Sequence, residues 1–300
     1  MEAAAGLRDS GQGYSMVAMQ TARRPYNAQR ASSTDWSEVF ARPAPATLES
    51  VATGELIVRL SGMVDLSDPK ASSLKEGSPR VAVYAHIIRH ERLGDFVVDS
   101  GLDRGYARKK SGSVRGLAAP FLPIPGYQAE GADLRSKLDA LGSTPVRVFY
   151  THLHFDHSAG ALDMPKDTVH VAGAGEPEFG IPLLAQGRFF RHAEAIEELD
   201  FSAGADMPIL GPALDLLGDG SLWAISTPGH SPAHVSYLFN GRGGPVLIAG
   251  DAISMRSALE LGIGPGTYTV DHEAARRSAD KLRAFAVAYP QVRVLTGHEL

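Results

Sequence analysis

Regular hydrophobic patterning begins near residue 54 of the 300-residue chain. Residues 55–63 alternate apolar and polar side chains, which predicts a half-buried strand. The runs 81–89 and 95–99 are separated by a short, mainly polar segment and predict a hairpin. Other short apolar runs predict strands at 145–150, 168–172, 222–226, 235–239, 246–249 and 292–295.

Two segments have helical spacing instead. Leucines recur at helical intervals in 130–141, and Gly142 follows as a stop signal. The segment 271–288 has an apolar stripe, an acidic start and basic residues further on, all of which favour a helix. Predicted strands outnumber predicted helices, and this mixture indicates the α+β class.

Residues 1–53 lack this periodicity. We expect them to form a partly irregular N-terminal arm beside a catalytic domain at 54–300. Two arrangements fit the arm: a partly disordered tail, or a segment packed on a partner subunit or over a pocket. Residues 1–20 hold no basic region followed by an apolar stretch, so we predict no secretory signal and expect a cytoplasmic location.

The composition excludes several classes of protein. Apolar residues make up 44 % of the chain, which is enough for a sizeable core. No apolar run approaches the roughly 18 residues of a membrane-spanning helix. The net charge of −5 gives no basic excess for binding nucleic acid. Because the chain has no cysteine, His and carboxylate side chains must bind any metal.

A dense cluster of His and Asp follows the predicted strand at 145–150. In an extended chain, residues two apart point to the same side, so His152, His154 and Asp156 can converge. His157 points the other way unless the backbone bends. A helix would place His152 and His154 on different sides, which favours a site in a loop after a strand.

Three more candidate ligands also come directly after predicted strands. His230 follows 222–226, Asp251 follows 246–249, and His298 follows 292–295. A lone His or Asp after a strand is usually a turn residue or a hydrogen-bonded core group. Strand ends nevertheless hold side chains from distant parts of a chain around one point, and the order of these residues favours a shared site.

The sequence resembles the metallo-β-lactamase fold superfamily of metal-dependent hydrolases, and within it the N-acyl homoserine lactone lactonases. The residues that carry the resemblance are HLHFDH at 152–157, TPGHSPAH at 227–234, GD at 250–251 and GH at 297–298. The resemblance spans roughly 54–300 and implies an αββα sandwich of two mixed β-sheets flanked by helices. Its site would lie at one edge, in loops that follow strands.

The resemblance implies a site for two divalent metal ions. His152, His154 and His230 would bind the first ion; Asp156, His157 and His298 would bind the second. Asp251 would bridge both ions together with a hydroxide. Imidazole and carboxylate ligands without sulfur suit zinc, which we expect, and also iron, cobalt or manganese.

Several other residues have roles that the resemblance suggests. Asp156 would orient the hydroxide and carry its proton to the leaving oxygen, or act as a ligand only. Phe155 would face the substrate or pack in the core. His234 would support a ligand by a hydrogen bond. The lactonases commonly have Tyr where this chain has Ser254, and Tyr268 from the following loop is a candidate replacement.

The resemblance favours a hydrolase that opens lactone rings by attack of the bridging hydroxide. Alternatives on the same site are an arylesterase or phosphotriesterase, a glyoxalase II-like thioesterase, and a mononuclear iron sulfur dioxygenase. Glyoxalase II has substantial sequence after its last His ligand, whereas two residues follow His298 here. A β-lactamase is less favoured, because one major group needs Cys where this chain has Asp251 and another lacks the bridging Asp.

The substrate is expected to be a small ester or lactone, and we expect neither nucleic acid nor membrane as a partner. The preference of the enzyme for a particular acyl chain or ester would depend on loops at 105–130 and 180–220. Two stretches in these loops, 118–125 and 181–184, are apolar. They would line a pocket, cover the core or contact a second subunit in a homodimer, and the sequence leaves these alternatives open.

Overall fold

The computed structural model describes the backbone of residues 21–116, 125–181 and 185–300, and the side chains of these ranges outside 180–186. Most of the two apolar stretches at 118–125 and 181–184 lies outside the described residues, as do residues 1–20. In the described part, the chain folds into two mixed β-sheets flanked by helices. This arrangement confirms the αββα fold that the resemblance implied.

The strands and helices of the described residues have the following bounds. The strands are β1 (Arg23–Pro25), β2 (Ala46–Ile57), β3 (Arg80–His90), β4 (Gly94–Val98), β5 (Gly126–Tyr127), β6 (Pro145–Phe149), β7 (Val169–Gly173), β8 (Gly180–Ile181), β9 (Ala185–Gln186), β10 (Ile196–Leu199), β11 (Ala205–Met207), β12 (Gly211–Asp215), β13 (Leu222–Ser226), β14 (Val235–Gly241), β15 (Gly244–Ile248) and β16 (Arg293–Leu295). The α-helices are α1 (Trp36–Phe40), α2 (Leu60–Met63), α3 (Leu134–Ala140), α4 (Phe155–Ser158), α5 (Arg256–Leu261) and α6 (His272–Ala288). Single 3₁₀ turns lie at Pro69–Ala71, Arg104–Ala107, Ala159–Asp163, Phe201–Ala203 and Gly250–Ile253.

The larger sheet has the strand order β1-β10-β7-β6-β4-β3-β2-β5, and the smaller one runs from β11 to β16 in chain order. In the larger sheet, β2, β3, β4 and β5 pair antiparallel, while β4, β6, β7, β10 and β1 pair parallel. In the smaller sheet all pairs are antiparallel except β15–β16. Within the described ranges, strands β8 and β9 pair only with each other.

The central strands are buried on both faces, because one face meets the other sheet and the opposite face meets the helices. In β4, Phe96 and Val98 belong to one apolar cluster, while Val97 between them belongs to the other. Phe149 of β6 meets Tyr237 of β14 across the sandwich, with ring centroids 6.0 Å apart. Double burial explains why these strands have near-continuous apolar runs rather than alternation.

Helix α6 covers the outer face of the smaller sheet. Its Phe285 ring lies 5.6 Å from Trp36, which in turn lies 5.3 Å from Trp223 of β13. Asp271 caps the helix by accepting hydrogen bonds from the backbone N–H groups of Glu273 and Ala274. The helix predicted at 271–288 is therefore confirmed. Among the described residues, no helix is both long and apolar enough to cross a membrane.

Two predicted elements differ from the structure. The strand predicted at 55–63 begins earlier, because β2 pairs with β3 from Ala46 onward, and it gives way to helix α2 at Leu60. The boundary predicted between residues 53 and 54 thus falls inside β2. The helix predicted at 130–141 begins only at Leu134, because the Asp133 carboxylate caps it by accepting from the Ser136 N–H.

Candidate metal centre

The seven predicted ligands lie in loops and short helical turns at one end of the sandwich. His152 and His154 follow β6, and the next turn of chain is α4, which bears Asp156 and His157. His230 follows β13. Asp251 follows β15 in a 3₁₀ turn, and His298 follows β16. The bend into α4 gives His157 access to the same point as its neighbours, which a fully extended segment would not.

These side chains form three overlapping groups whose ligand atoms lie within 4.8 Å of one another. The groups are His152, His154 and His230; His152, His157 and Asp251; and Asp156, His157 and His298. Asp251 stands between the first and the last of them. Its Oδ2 lies 3.4 Å from Nε2 of His230, and its Oδ1 lies 3.4 Å from Nε2 of His298.

The nitrogen and oxygen atoms of the predicted ligands are suited to binding divalent cations. Nε2 of His152, Nε2 of His157 and Oδ1 of Asp251 are buried, and within the described residues they have no hydrogen-bond partner. An unpaired buried polar atom is costly, so three of them facing one another fit a shared positive ion. Imidazole nitrogen and carboxylate oxygen are ligands of zinc and of other first-row divalent ions.

The far side of several imidazole rings is held by the protein. Nδ1 of His157 lies 2.8 Å from Asp99, and Nδ1 of His298 lies 2.8 Å from the carbonyl of Ala82. Nδ1 of His152 lies 3.1 Å from the Thr151 hydroxyl. Such contacts fix the orientation of each ring and leave Nε2 to face the centre.

Asp99 contacts a predicted ligand, and the sequence analysis did not single it out. It follows β4 directly and has a left-handed backbone, with φ of 59°. Its carboxylate accepts hydrogen bonds from the Thr151 N–H at 2.7 Å and from the Thr151 hydroxyl at 2.8 Å, beside its contact with His157. Asp99 is the last residue of the strand predicted at 95–99, and an acidic residue close to a strand end is the pattern that also singled out Asp251.

His234 lies behind the centre rather than among the ligand atoms. Its Nε2 accepts a hydrogen bond of 3.1 Å from the backbone N–H of Asp251. Nδ1 therefore carries the proton and donates to the Thr227 hydroxyl, 2.8 Å away. The ring thus fixes the backbone from which the Asp251 carboxylate extends.

The electrostatics of the cluster favour positive charge at its centre. Burial alone would lower the pKa of His157, but the carboxylates of Asp156, Asp99 and Asp251 raise it to about 10. Burial and the neighbouring imidazoles instead lower the pKa of His152 well below its usual value. His152 is therefore neutral near pH 7, as a metal ligand must be, whereas His157 carries a proton that a metal ion at this position would displace.

A cavity of about 200 Å³ opens onto the centre. Its wall is mainly apolar, with polar groups where it meets the predicted ligands. Besides five of the seven predicted ligands, Asp156 among them, it is lined by Leu56, Val58, Gly62, Met63, Phe155, Phe179, Ser254 and Tyr268. An apolar cavity with a few converging polar groups is typical of a small-molecule site.

The three predicted substrate contacts all lie at this cavity. Phe155 is buried, and its ring centroid lies 5.3 Å from that of Phe179. Ser254 is buried beside His298, whose backbone N–H donates to the Ser254 carbonyl. The Tyr268 hydroxyl accepts a hydrogen bond of 3.3 Å from the backbone N–H of Arg59.

Residues 79–298 match the family described as the Metallo-beta-lactamase superfamily. N-acyl homoserine lactonase AttM of Agrobacterium fabrum is 31 % identical over 219 residues, which cover 69 % of this chain and 78 % of that protein. A variant of B. thuringiensis AiiA, solved with N-decanoyl-L-homoserine at its active site, has a TM-score of 0.64 at 19 % identity and covers 86 % of this chain and 94 % of its own. The dizinc quorum-quenching lactonase AidC has a TM-score of 0.57 at 14 % identity, covering 86 % of this chain and 88 % of its own. From the match over 79–298 and the identity with AttM, the chain belongs to the metallo-β-lactamase superfamily.

Proposed function

We propose that this protein is a two-metal hydrolase that opens lactone rings, with N-acyl homoserine lactones as its substrate class. The observation that carries the proposal is the orientation of Asp251, whose two oxygens face different groups of imidazoles. A carboxylate shared between two cation positions is suited to a dinuclear hydrolytic centre. The identity with AttM supports the choice of substrate, which implies a role in quorum quenching.

The proposed ligand set follows the groups described above. His152, His154 and His230 bind one ion, and Asp156, His157 and His298 bind the other. Asp251, whose two oxygens face His230 and His298, would contribute to the binding of both ions. Zinc is the proposed metal, because the ligands are nitrogen and oxygen and the site has no sulfur.

When bound, two such ions supply hydroxide at neutral pH and polarise the substrate carbonyl. Asp156 lies at the cavity, with its Oδ2 3.7 Å from Nε2 of His157 and 3.8 Å from Nε2 of His298. We assign proton transfer to its Oδ1. As the new C–O bond forms and the ring C–O bond breaks, Oδ1 passes the proton of the attacking oxygen to the ring oxygen, which leaves as a hydroxyl.

The mainly apolar wall of the cavity favours an uncharged acyl ester as the substrate rather than a charged molecule. Phe155 and Phe179 offer an aromatic surface for the acyl chain. Ser254 and Tyr268 are the polar side chains we propose for contact with the lactone or amide groups. The Arg59 N–H donates to the Tyr268 oxygen, so the phenolic proton is free to donate to a substrate carbonyl.

Metal analysis combined with a substrate panel tests this function. The panel contains N-acyl homoserine lactones, aryl esters, phosphotriesters, glutathione thioesters and a β-lactam. We expect about two ions per chain and the highest kcat/KM with a lactone. Full activity in metal-free protein would contradict the metal mechanism, and one iron per chain with oxygen consumption would favour a dioxygenase. A preference for another member of the panel would reassign the substrate while keeping the centre.

A further inference from the structure

Glu176 joins the two loops that carry the first group of histidines. Its Oε1 accepts a hydrogen bond of 3.2 Å from the backbone N–H of Leu153, and its Oε2 accepts one of 2.9 Å from the N–H of Ala233. The residue follows β7 and is only 2 % exposed. Neither HLHFDH nor TPGHSPAH includes Glu176, so it was not among the predicted site residues.

Both of its partners lie directly beside ligands or their supports. Leu153 stands between His152 and His154. Ala233 precedes His234, whose ring accepts from the Asp251 N–H, and lies three residues after His230. A shift of either loop along the other would therefore separate His230 from His152 and His154.

The surroundings hold Glu176 in a fixed place. Its backbone N–H donates to the Gly173 carbonyl at 3.0 Å, and its own carbonyl accepts from the Arg23 guanidinium at 3.0 Å. Gly173 lies so close to the Ala233 carbonyl that a Cβ at this glycine would collide with it. The His230 loop is thus pressed against the turn that carries Glu176.

The chemistry of the contact requires a carboxylate. An ionised Glu accepts with both oxygens, whereas the Gln amide has one accepting oxygen and a donating NH₂ group. At this position a Gln would therefore set an N–H against one of the two backbone N–H groups. Because both loops reach the carboxylate at once, the loss of one contact weakens the connection between them.

We propose that Glu176 is a positioning residue that fixes the spacing of the two loops and so sets the affinity for the ion held by His152, His154 and His230. This inference rests on the proposed function of the centre. A residue that only stabilises the core would lower the free energy of unfolding without a separate effect on metal affinity. The two roles therefore differ in what they do to metal binding by protein that is still folded.

The test measures zinc affinity of the full chain by competition with a chromophoric chelator. The variants are Glu176→Gln, Glu176→Asp, which is one methylene shorter, and the control Glu178→Gln. Glu178 also lies near Arg23, with its Oε1 3.7 Å from Nη2, but its carboxylate is not hydrogen-bonded to either ligand loop within the described residues. Urea unfolding in EDTA records the stability of each protein without metal.

We expect Glu176→Gln to weaken zinc binding by about 10- to 100-fold, and excess zinc to restore kcat, as for residues that orient metal ligands. Glu178→Gln should bind zinc like the wild type. An affinity of folded Glu176→Gln or Glu176→Asp within about two-fold of the wild type would overturn the inference. Absence of zinc binding by the wild type would instead overturn the proposed function, and this inference with it.

Discussion

Oδ2 of Asp99 lies 2.8 Å from Nδ1 of His157, and the opposite nitrogen of that ring faces Asp251 at 3.7 Å. The imidazole is therefore held between two carboxylates, one behind it and one across the centre. Asp99 also binds both the N–H and the hydroxyl of Thr151, so one side chain orients a predicted ligand and the chain that leads to the next ones.

Asp99→Asn should weaken the second metal position. Asn tolerates the left-handed backbone at this residue, so the change acts through the side chain. It replaces a charged acceptor of the His157 ring by an amide, and we expect metal affinity to fall by about 10- to 100-fold. Zinc titration measures the loss. Asp167→Asn, at an exposed site, is the control, and equal affinity of the two variants would contradict the role of Asp99.

Removal of a proposed ligand should remove metal and activity together. We expect Asp251→Ala to lose both ions, because this carboxylate faces both groups, and His154→Ala to lose chiefly the first. Lactone turnover should fall by at least about 10³-fold in either variant. Plasma mass spectrometry and a lactone assay check this, with His192→Ala at an exposed position as the control. A metal-free Asp251→Ala protein with wild-type turnover would disprove the centre.

Tyr268→Phe should reduce lactone hydrolysis without loss of structure. The ring packs on Gly62 and would remain, while the hydroxyl that we assign to substrate contact would be lost. We expect kcat/KM to fall about tenfold, the usual effect of one hydrogen bond. Tyr289→Phe, at a ring packed against Phe285, is the matched control. If Tyr268→Phe and the control have the same kcat/KM, Tyr268 has only a packing role.

Gly229→Ala should destabilise the protein and displace His230. Gly229 has φ of +133°, and a Cβ there would collide with the backbone of Ala275 in α6. Gly243 also has positive φ, at +95°, but among the described residues no atom lies within 4 Å of its Cβ position. Gly243→Ala thus reports backbone strain alone. We expect Gly229→Ala to lower the free energy of unfolding by at least about 2 kcal/mol more than Gly243→Ala, measured by urea unfolding.

His170 should make the protein less stable in acid. Burial lowers the pKa of this residue from 6.5 to about 4, and Nδ1 lies 2.9 Å from the Tyr150 hydroxyl. At pH values between about 4 and 6.5, the unfolded chain binds more protons than the folded one. The free energy of unfolding therefore falls as the pH falls through this range. From pH 7 to pH 4 we expect the wild type to lose about 3 kcal/mol more than His170→Gln, which stays neutral.

Urea unfolding at several pH values, in EDTA, provides the comparison. Metal ligands titrate alike in both proteins, so the difference between the two curves isolates His170. Parallel pH dependence in the wild type and His170→Gln would show that His170 is not the source of the acid sensitivity.

The local pattern of apolar and polar residues was sufficient to predict many of the strands and helices. The hairpin of β3 and β4, the strand at 222–226 and helix α6 depend on short-range alternation, spacing and capping, which a single sequence records. The start of β2 was missed, because residues from Ala46 onward owe their conformation to β3, 44 residues away at the first pair.

The residues of the candidate site also fall into two groups, those that the sequence reveals and those that it does not. His152, His154, Asp156 and His157 lie within six consecutive residues, so their chemistry is visible in the sequence. Glu176 has no such signal, because its two partners lie 23 and 57 residues away and are backbone groups with no characteristic side chain. Supporting contacts of this kind depend on the tertiary fold.

Strand β1 also determines which edge the larger sheet presents among the described residues. It pairs along the outer side of β10 and so covers backbone groups that would otherwise form an open sheet edge. An uncovered edge is a template on which a strand of another molecule adds. Arg23, Arg24 and Pro25 are two charged residues and one residue without an N–H, all poor templates for further pairing. Among the described residues, the first strand thus leaves the larger sheet with an edge that is a poor template for pairing with another strand.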